Sequence, residues 1–190
     1  MSDKAAVPLT ARLVRDFVNT FEPQVDTETL TTPERLRAWF AERQLIPPDA
    51  KIRPADVATA VTIREGLRSV LLGHAGHPTD PTELKRLDLA LAAVPVRMAF
   101  ADAGPRLVAV GGRPLDQALA RLLDAIRQCA EDGTWTRLKV CDRDSCRWAY
   151  YDASRNQARR WCSMADCGNY VKMRRAHAAR KNRKARTTGR

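Results

Sequence analysis

The sequence has few histidines and no long apolar run, and both absences limit what the chain can do. It contains 3 His among 190 residues, and no Ser or Cys nucleophile stands in a motif with a basic partner. No segment has the run of apolar residues that a membrane-spanning helix needs. The N-terminus lacks the basic and apolar regions of a secretory signal. We therefore expect a non-enzymatic, cytoplasmic protein without membrane contact.

Cysteines are also few, but four of the five form two pairs with the same spacing. Cys141 and Cys146 form one C-x4-C pair, Cys162 and Cys167 form the other, and 15 residues separate the pairs. Thiols stay reduced in the cytoplasm, where clustered cysteines more often bind a metal than form disulfides. Four thiolates make a closed tetrahedral zinc site. We expect one structural Zn²⁺ per chain, held by these four residues.

Alternatives to a zinc site fit the four cysteines less well. An iron–sulfur cluster also takes four thiolates, but the spacing matches neither ferredoxin pattern. A redox dithiol prefers C-x-x-C, and a small core of four free thiols is the remaining alternative. Cys129 follows Leu122 and Ile126 at helical spacing, so we interpret it as a core residue.

Charge is distributed unevenly along the chain. The formal net charge is +11 and the sequence pI is about 10.0. Residues 137–190 hold 16 Lys and Arg against 4 Asp and Glu, whereas residues 1–136 hold 17 against 18. A neutral domain over 1–136 and a basic zinc module over 137–190 are therefore expected. A basic end of this kind indicates a polyanionic partner.

Apolar periodicity and capping residues predict a mainly α fold of the α+β class. The expected elements are helices over Leu9 to Phe21, Pro33 to Gln44, Pro54 to Gly73, Pro81 to Ala93 and from Pro114 to just before Gly133, a β-hairpin of Val96 to Phe100 with Leu107 to Val110, and a strand from Trp135 to Val140. Asp80 and Glu83 suggest a capping box. His74 and His77 are expected in an exposed loop.

The cysteine spacing, with Trp161 before the third cysteine and Gly168-Asn169 after the fourth, resembles the CGNR zinc finger family. Arg15-Asp16-Phe17-Val18-Asn19-Thr20 resembles the start of the ABATE domain, which commonly precedes that finger. The resemblance implies a treble-clef-like zinc module in a stress-linked, DNA-binding transcription regulator. One departure is plain, because Tyr170 stands where the family name has Arg. Arg174 or Arg175, one turn later, is the expected substitute.

The basic residues after the cysteines predict a helix that contacts double-stranded DNA along phosphates or in the major groove. The loop between the cysteine pairs offers a second basic surface. The candidate contacts are Arg155, Asn156, Arg159, Arg160, Asn169, Lys172, Arg174, Arg175, Arg180 and Lys181. A solvated tail from Arg180 onward is an equal alternative for that segment. If the aromatic residues of the loop were exposed they could stack on RNA bases, so an RNA-binding or ribosome-associated protein is the alternative. A protein–protein adaptor with a purely structural zinc module is a third hypothesis.

The domain over 1–136 carries the weakest functional signal. It could sense a small-molecule effector in a pocket between helices, or it could form a homodimer that sets half-site spacing on DNA. A cavity would favour sensing, whereas a filled core with an exposed apolar patch would favour pairing. Asn19 and Thr20 are interpreted as capping residues at the end of the first helix. With DNA as the partner, we expect the protein to be nucleoid-associated.

Overall fold

A computed structural model describes residues 7–102 and 104–188, with side chains up to Arg180. This part of the chain is mainly α-helical with some β structure, as expected, but it has three small antiparallel hairpins where one was predicted. The helices are α1 (Leu9–Val18), α2 (Pro33–Glu42), α3 (Pro54–His74), α4 (Pro81–Ala92), α5 (Pro114–Glu131) and α6 (Asn169–Thr188). The strands are β1 (Phe21–Glu22), β2 (Thr27–Glu28), β3 (Val96–Ala101), β4 (Gly104–Ala109), β5 (Leu138–Val140) and β6 (Ala149–Tyr151).

Proline begins four of the helices, α2 to α5, which is why their predicted starts are confirmed. Its fixed φ suits the first helical position, where no backbone N–H is needed. The side chain of the N-cap residue itself accepts a backbone hydrogen bond in two of these helices. The Thr32 hydroxyl accepts from the Arg35 N–H at 3.3 Å, and the Asp80 carboxylate accepts from the Thr82 N–H at 2.8 Å. Gly133, with φ 73°, follows α5 as predicted.

Several predicted segments end or begin elsewhere. Strand β4 begins at Gly104 rather than at Leu107, and three other segments differ for local reasons. Helix α1 stops at Val18 rather than Phe21, because Asn19 caps it and the Thr20 hydroxyl donates to the Phe17 carbonyl at 2.8 Å. Helix α2 stops at Glu42, before Gln44 turns with φ 57°. The predicted strand from Trp135 was wrong over its first half. Trp135–Arg137 forms a 3₁₀ turn, and β5 begins only at Leu138.

The core lies between α1, α2, α3 and α5. Phe17 of α1 contacts both aromatic residues of α2, with ring centroids 5.5 Å from Trp39 and 6.4 Å from Phe40. Cys129 is fully buried in the same core, which confirms its predicted packing role. Helix α4 packs against α3, and strand β4 packs against α5. Among residues 7–102 and 104–188, no helix has the length and apolarity needed to cross a bilayer.

The hairpin β5–β6 joins the helical core to the cysteine segment. Its register pairs Leu138 with Tyr151 and Val140 with Ala149. Leu138, Val140 and Ala149 are completely buried in the core built by the helices. The turn between the two strands carries the first cysteine pair. The segment that holds these cysteines is therefore anchored to the helical part through a shared core.

Candidate metal centre and nucleic-acid interface

The four paired cysteines converge on one point. Their Sγ atoms all lie within 4.8 Å of one another. Cys162 Sγ lies 3.7 Å from the sulfurs of both Cys146 and Cys167. A disulfide would hold two sulfurs about 2.05 Å apart. Four sulfurs bonded tetrahedrally to one zinc ion lie about 3.8 Å apart. Both the donor set and its spacing therefore fit a single tetrahedral ion.

Local backbone hydrogen bonds shape each half of this cluster. In the first half, the Cys146 and Arg147 N–H groups both donate to the Arg143 carbonyl, and Arg147 turns the chain with φ 48°. In the second half, the Ser163 hydroxyl accepts from the Asp166 N–H at 3.2 Å, and the Ser163 carbonyl accepts from the Gly168 N–H at 3.0 Å. Each C-x4-C pair is thus a tight turn that aims two thiols the same way.

Three of the clustered thiols have pKa values that are shifted in opposite directions. Hydrogen bonds from Cys146 and Cys162 lower the pKa of Cys141, whereas the contacts with Cys141 raise the pKa of Cys146 and Cys162. Thiols this close therefore cannot all ionise alone. A metal ion bound at this cluster would supply the positive charge that favours the thiolate form.

Two tryptophans shield the cluster, and one arginine reaches it. Trp148 and Trp161 pack against the cysteines from the two ends of the intervening loop. The Arg143 Nη1 donates to the Cys167 sulfur at 3.9 Å. Such a contact places positive charge beside a sulfur that carries negative charge when the site is loaded.

A buried ion pair organises the loop between the cysteine pairs. Asp152 is completely buried, and its carboxylate accepts from Lys139 Nζ at 2.9 Å and from the Arg159 N–H at 3.0 Å. The Ser154 hydroxyl and N–H donate to the same carboxylate. Burial alone would raise the pKa of Asp152, but the hydrogen bonds from Ser154 and Lys139 hold it below its usual range. The loop is therefore tied to strand β5.

Two polar side chains of the helical part form hydrogen bonds with the hairpin β5–β6, which carries the first cysteine pair. Asn19 donates to the Ala149 carbonyl at 2.9 Å and accepts from the Ala149 N–H at 2.8 Å, as a neighbouring strand would. Arg68 is buried on α3 and donates to the Arg147 carbonyl at 2.9 Å and to the Val18 carbonyl at 2.6 Å. The first turn of the cysteine cluster and the end of α1 therefore share one arginine.

The predicted loop residues have different environments. Arg155 and Asn156 are exposed, although the Asn156 side chain accepts from the Ala158 N–H at 3.3 Å. Arg159 donates to the carbonyls of Trp161 and Cys162, and Arg160 pairs with Asp142 at 2.5 Å. Arg159 and Arg160 thus have partners within the chain, although both remain exposed.

Helix α6 presents its basic side chains to solvent as far as Arg180, the last residue whose side chain is described. Its predicted contacts Lys172, Arg174, Arg175 and Arg180 are all exposed, and none forms a salt bridge within the described residues. Asn169, at its start, donates to the Ala165 carbonyl at 2.9 Å and so ties the helix to the second cysteine turn. The backbone of Lys181 continues the helix, but its side chain lies outside the described set. Beyond the first turn of α6, none of its side chains described up to Arg180 belongs to the core, as expected.

Comparison with family models places both parts of the chain. The ABATE model, described as "Putative stress-induced transcription regulator", matches residues 11–138, and the CGNR zinc finger model matches residues 137–181. The chain belongs to the ABATE family. A search of curated proteins gave no match.

In this ABATE protein, the finger has the treble-clef-like arrangement that its resemblance implied. A β-hairpin carries the first cysteine pair, and the turn before a helix carries the second. The four cysteines therefore form a possible metal site consistent with the matched zinc finger. Tyr170 occupies the position of the family's arginine, and the Arg143 guanidinium lies over its ring, 3.8 Å from the centroid.

Sequence reasoning missed three residues of this ABATE–CGNR arrangement. Arg143 was overlooked although it stands between two predicted ligands, which was the available signal. Arg68 gave none, because an arginine inside an amphipathic helix normally faces solvent. Asn19 was assigned a capping role, and it does cap α1, but its side chain binds strand β6. His74 is not in an exposed loop, because it ends α3 and its ring bonds to the Leu138 carbonyl at 2.9 Å.

Proposed function

We propose that this ABATE-family protein is a non-enzymatic, DNA-binding transcription regulator. Cys141, Cys146, Cys162 and Cys167 hold one structural zinc ion, which shapes the C-terminal module around helix α6. The helix supplies most of the DNA contacts, and the exposed loop residues Arg155 and Asn156 extend them. The working division is a helical domain over 1–136 and a zinc module over 137–190. A cytoplasmic, nucleoid-associated location follows from reduced thiols and a DNA partner.

One observation carries the proposal: the exposed cationic face of α6 has no carboxylate partner among the described residues. Unpaired Lys and Arg side chains along one helix neutralise DNA phosphates and release the bound counterions. Because these contacts are electrostatic, the affinity for DNA should fall steeply as the salt concentration rises. The start of the helix is tied to the cysteine cluster, so metal binding would fix its direction.

Duplex DNA is favoured over single-stranded RNA by the burial of the loop aromatics. Trp148 and Trp161 pack on the cysteines, Tyr150 is buried, and Tyr151 packs against the helical core. Recognition of single-stranded RNA relies on exposed aromatic rings that stack with bases. These rings are buried by packing and cannot stack on bases, whereas the exposed arginines of α6 can contact the phosphate backbone of DNA.

The test is binding of the zinc-loaded protein to duplex DNA at a series of salt concentrations. The triple variant Lys172→Gln, Arg174→Gln, Arg175→Gln should lower the slope of log affinity against log salt by up to about 3. A matched control removes three exposed arginines from the helical part, Arg12, Arg35 and Arg106, and should leave the slope near that of the wild type. Equal loss in both triple variants would contradict the assignment to α6.

Selection of bound sequences from random duplex DNA would then give the target site. Tighter binding to single-stranded RNA than to duplex at equal salt would favour the RNA alternative. Absence of nucleic-acid affinity with the metal site fully loaded would favour the adaptor.

For the helical domain, we propose homodimer formation through the free edge of strand β3. The outer edge of β4 is covered by α5, because the Leu107 N–H donates to Asp124 and the Pro105 carbonyl accepts from Arg127, both at 2.8 Å. In an antiparallel pair, the β3 residues opposite Leu107 and Pro105 must also point their backbone N–H and carbonyl groups away from β4. Met98 and Phe100 are opposite them. Neither forms a backbone hydrogen bond with another element of the described chain.

The side chains along this edge are unusually exposed for apolar residues. Phe100 is 84% exposed and Met98 is 46% exposed. Antiparallel pairing of β3 with a second copy, centred on Met98, would place Val96 opposite Phe100 and would keep Arg97 away from its own counterpart. An exposed apolar edge strand readily pairs in this manner. The ladder alone is smaller than a standard interface, so we expect a weak dimer.

Effector sensing is the alternative role for the helical domain. A cavity of about 500 Å³ lies between α3, α4 and the first cysteine turn, with Val61, Leu72 and Val140 among its lining residues. Its charged residues largely pair with each other, Glu65 with Arg68 and Glu83 with Arg86. Because these charged groups are already paired, few polar groups remain to orient an effector, so we prefer pairing.

Sedimentation of the DNA-free protein over a range of concentrations tests the dimer. Phe100→Lys and Met98→Lys should each shift the association to higher concentration. Val25→Lys, at a position that is 60% exposed in another hairpin, is the control for added surface charge. A wild type that stays monomeric throughout would rule out the β3 interface.

A further inference from the structure

We propose that the groove between the first cysteine turn and helix α6 is a phosphate-binding site in which Arg143 takes the place of the arginine in the family name. The proposal rests on the proposed DNA-binding function, which it deepens by naming a specific phosphate contact. Helix residues Arg174 and Arg175 complete the groove on its other side.

The groove is an open cleft of about 540 Å³ with an excess of positive charge. Its basic residues are Arg143, Arg160, Arg174 and Arg175, and its acidic residues are Asp142 and Asp144. Asp142 already pairs with His77 and Arg160, and Asp144 pairs with Arg147. Within the described residues, the two aspartates leave Arg143, Arg174 and Arg175 without a carboxylate.

Arg143 is held in place by three contacts. Its Nε donates to the Ser145 hydroxyl at 2.8 Å, its Nη1 donates to the Cys167 sulfur at 3.9 Å, and its guanidinium lies over the Tyr170 ring. A guanidinium has five N–H donors, so Nη2 and one N–H of Nη1 remain available. A side chain already fixed by stacking and hydrogen bonds loses less entropy when it binds an anion.

Tyr170 therefore contributes the platform and Arg143 contributes the charge. The Arg174 guanidinium also lies near the Tyr170 ring, 5.8 Å from the centroid, and joins Arg143 around the same residue. Aromatic faces attract guanidinium groups by cation–π interaction. Arginine that is orientated in this way forms bidentate bonds with phosphate oxygens. A positive charge on the first cysteine turn therefore lies beside position 170, although the residue at that position is tyrosine.

The ligand chemistry is a phosphate group, which two sources could supply. One is the phosphodiester backbone of duplex DNA, and the other is free inorganic phosphate. An open groove suits a phosphodiester chain, and further exposed basic residues of α6 lie beside it. We therefore assign it to the DNA backbone.

The experiment compares zinc-loaded wild type, Arg143→Gln, Arg143→Lys, the double variant Arg143→Gln with Tyr170→Arg, and Arg106→Gln as a surface control. Arg143→Gln should weaken duplex binding about 10-fold, equally for different sequences, and lower the salt slope by about 1. Arg143→Lys should recover part of the affinity, because charge returns without the planar stack. The double variant should recover more, and Arg106→Gln should match the wild type.

Zinc content of every variant separates anion binding from a structural role. Zinc-loaded Arg143→Gln with unchanged affinity and slope would overturn the proposal. Loss of zinc from Arg143→Gln that the double variant does not restore would assign Arg143 to the metal site alone, which also overturns it. Inorganic phosphate is titrated separately against the wild type and Arg143→Gln. A phosphate site lost with Arg143, in a protein that binds no duplex, would retain the groove and reject the DNA function.

Discussion

At the scale of single residues, Asn19 connects two parts of the chain that a family comparison treats separately. Its amide forms two hydrogen bonds with the backbone of Ala149, which is completely buried. Asn suits this role because its side chain carries a donor and an acceptor on the same plane, as a peptide group does. Ala149 is the first residue of β6, next to the turn that carries the first cysteine pair. The contact therefore fixes the finger against α1.

Replacing Asn19 with Ala should destabilise the protein by about 2 kcal/mol, because the buried N–H and carbonyl of Ala149 lose their partners. Urea unfolding monitored by circular dichroism gives the difference. Asn156→Ala, in the exposed loop, is the control and should change stability by less than about 0.5 kcal/mol. Equal stability of the Asn19→Ala and Asn156→Ala variants would contradict this role of Asn19.

His74 should make stability depend on pH. Its ring packs edge-on against Trp135, with centroids 5.1 Å apart, and burial lowers the pKa of His74 below its usual value. The unfolded chain then binds a proton first as pH falls below about 6.5, so stability is lost from there down to the folded pKa. His74→Asn retains a hydrogen-bond donor without a charge. It should flatten part of this slope in urea midpoints measured between pH 7.5 and 5.5, at equal zinc content.

At the scale of elements, the close approach of α3 and α4 depends on one glycine. A Cβ added at Gly66 would lie 2.5 Å from the Leu87 Cβ, well inside contact distance. Leu87 is the buried residue of α4, so it cannot move aside without separating the helices. A glycine in the interior of a helix lowers its intrinsic stability. The close contact with Leu87 explains why a glycine stands here despite that loss of helix stability.

Gly66→Ala should therefore destabilise the protein by about 1–3 kcal/mol, although alanine is the better helix former. Thermal unfolding would show a lower Tm. Gly112→Ala is the matched control, because an added Cβ there meets nothing within 4 Å and the backbone is not left-handed. A Gly66→Ala variant as stable as the wild type would show that α4 adjusts freely.

The elements that could be predicted were those with strong local signals. Pro33, Pro54, Pro81 and Pro114 each fix a helix start whatever lies around it. By contrast, β1 and β2 have two residues each and their ladder depends on a turn at Asp26, with φ 52°. No periodicity exists over two residues. The cysteine pairs were predictable from spacing, but their attachment through Asn19 and Arg68 involves contacts distant in sequence.

At the scale of the whole molecule, the hydrophobic core extends across the domain boundary at residue 136 that the charge distribution predicted. Leu138, Val140 and Ala149 lie after residue 136 but are buried among the helices. Tyr151 packs against the same core, and Trp148 on the other side of Ala149 packs against the cysteines. The strands β5 and β6 therefore belong structurally to both parts. Folding of the helical part and closure of the cysteine cluster are expected to be coupled.

Removal of the metal should consequently lower the stability of the whole chain rather than of the finger alone. Without a cation, the four cysteine ligands are no longer linked through one ion. The turns around Cys146 and Cys167 should then loosen, and the ends of β5 and β6 should lose support. Calorimetry of the zinc-loaded protein should show one transition, and treatment with a chelator should move it to lower temperature. Hydrogen exchange should accelerate at Ala149 and also in α1 and α3, which pack on the hairpin. A helical core whose Tm and exchange rates are unaffected by chelation would mean that the finger folds independently of it.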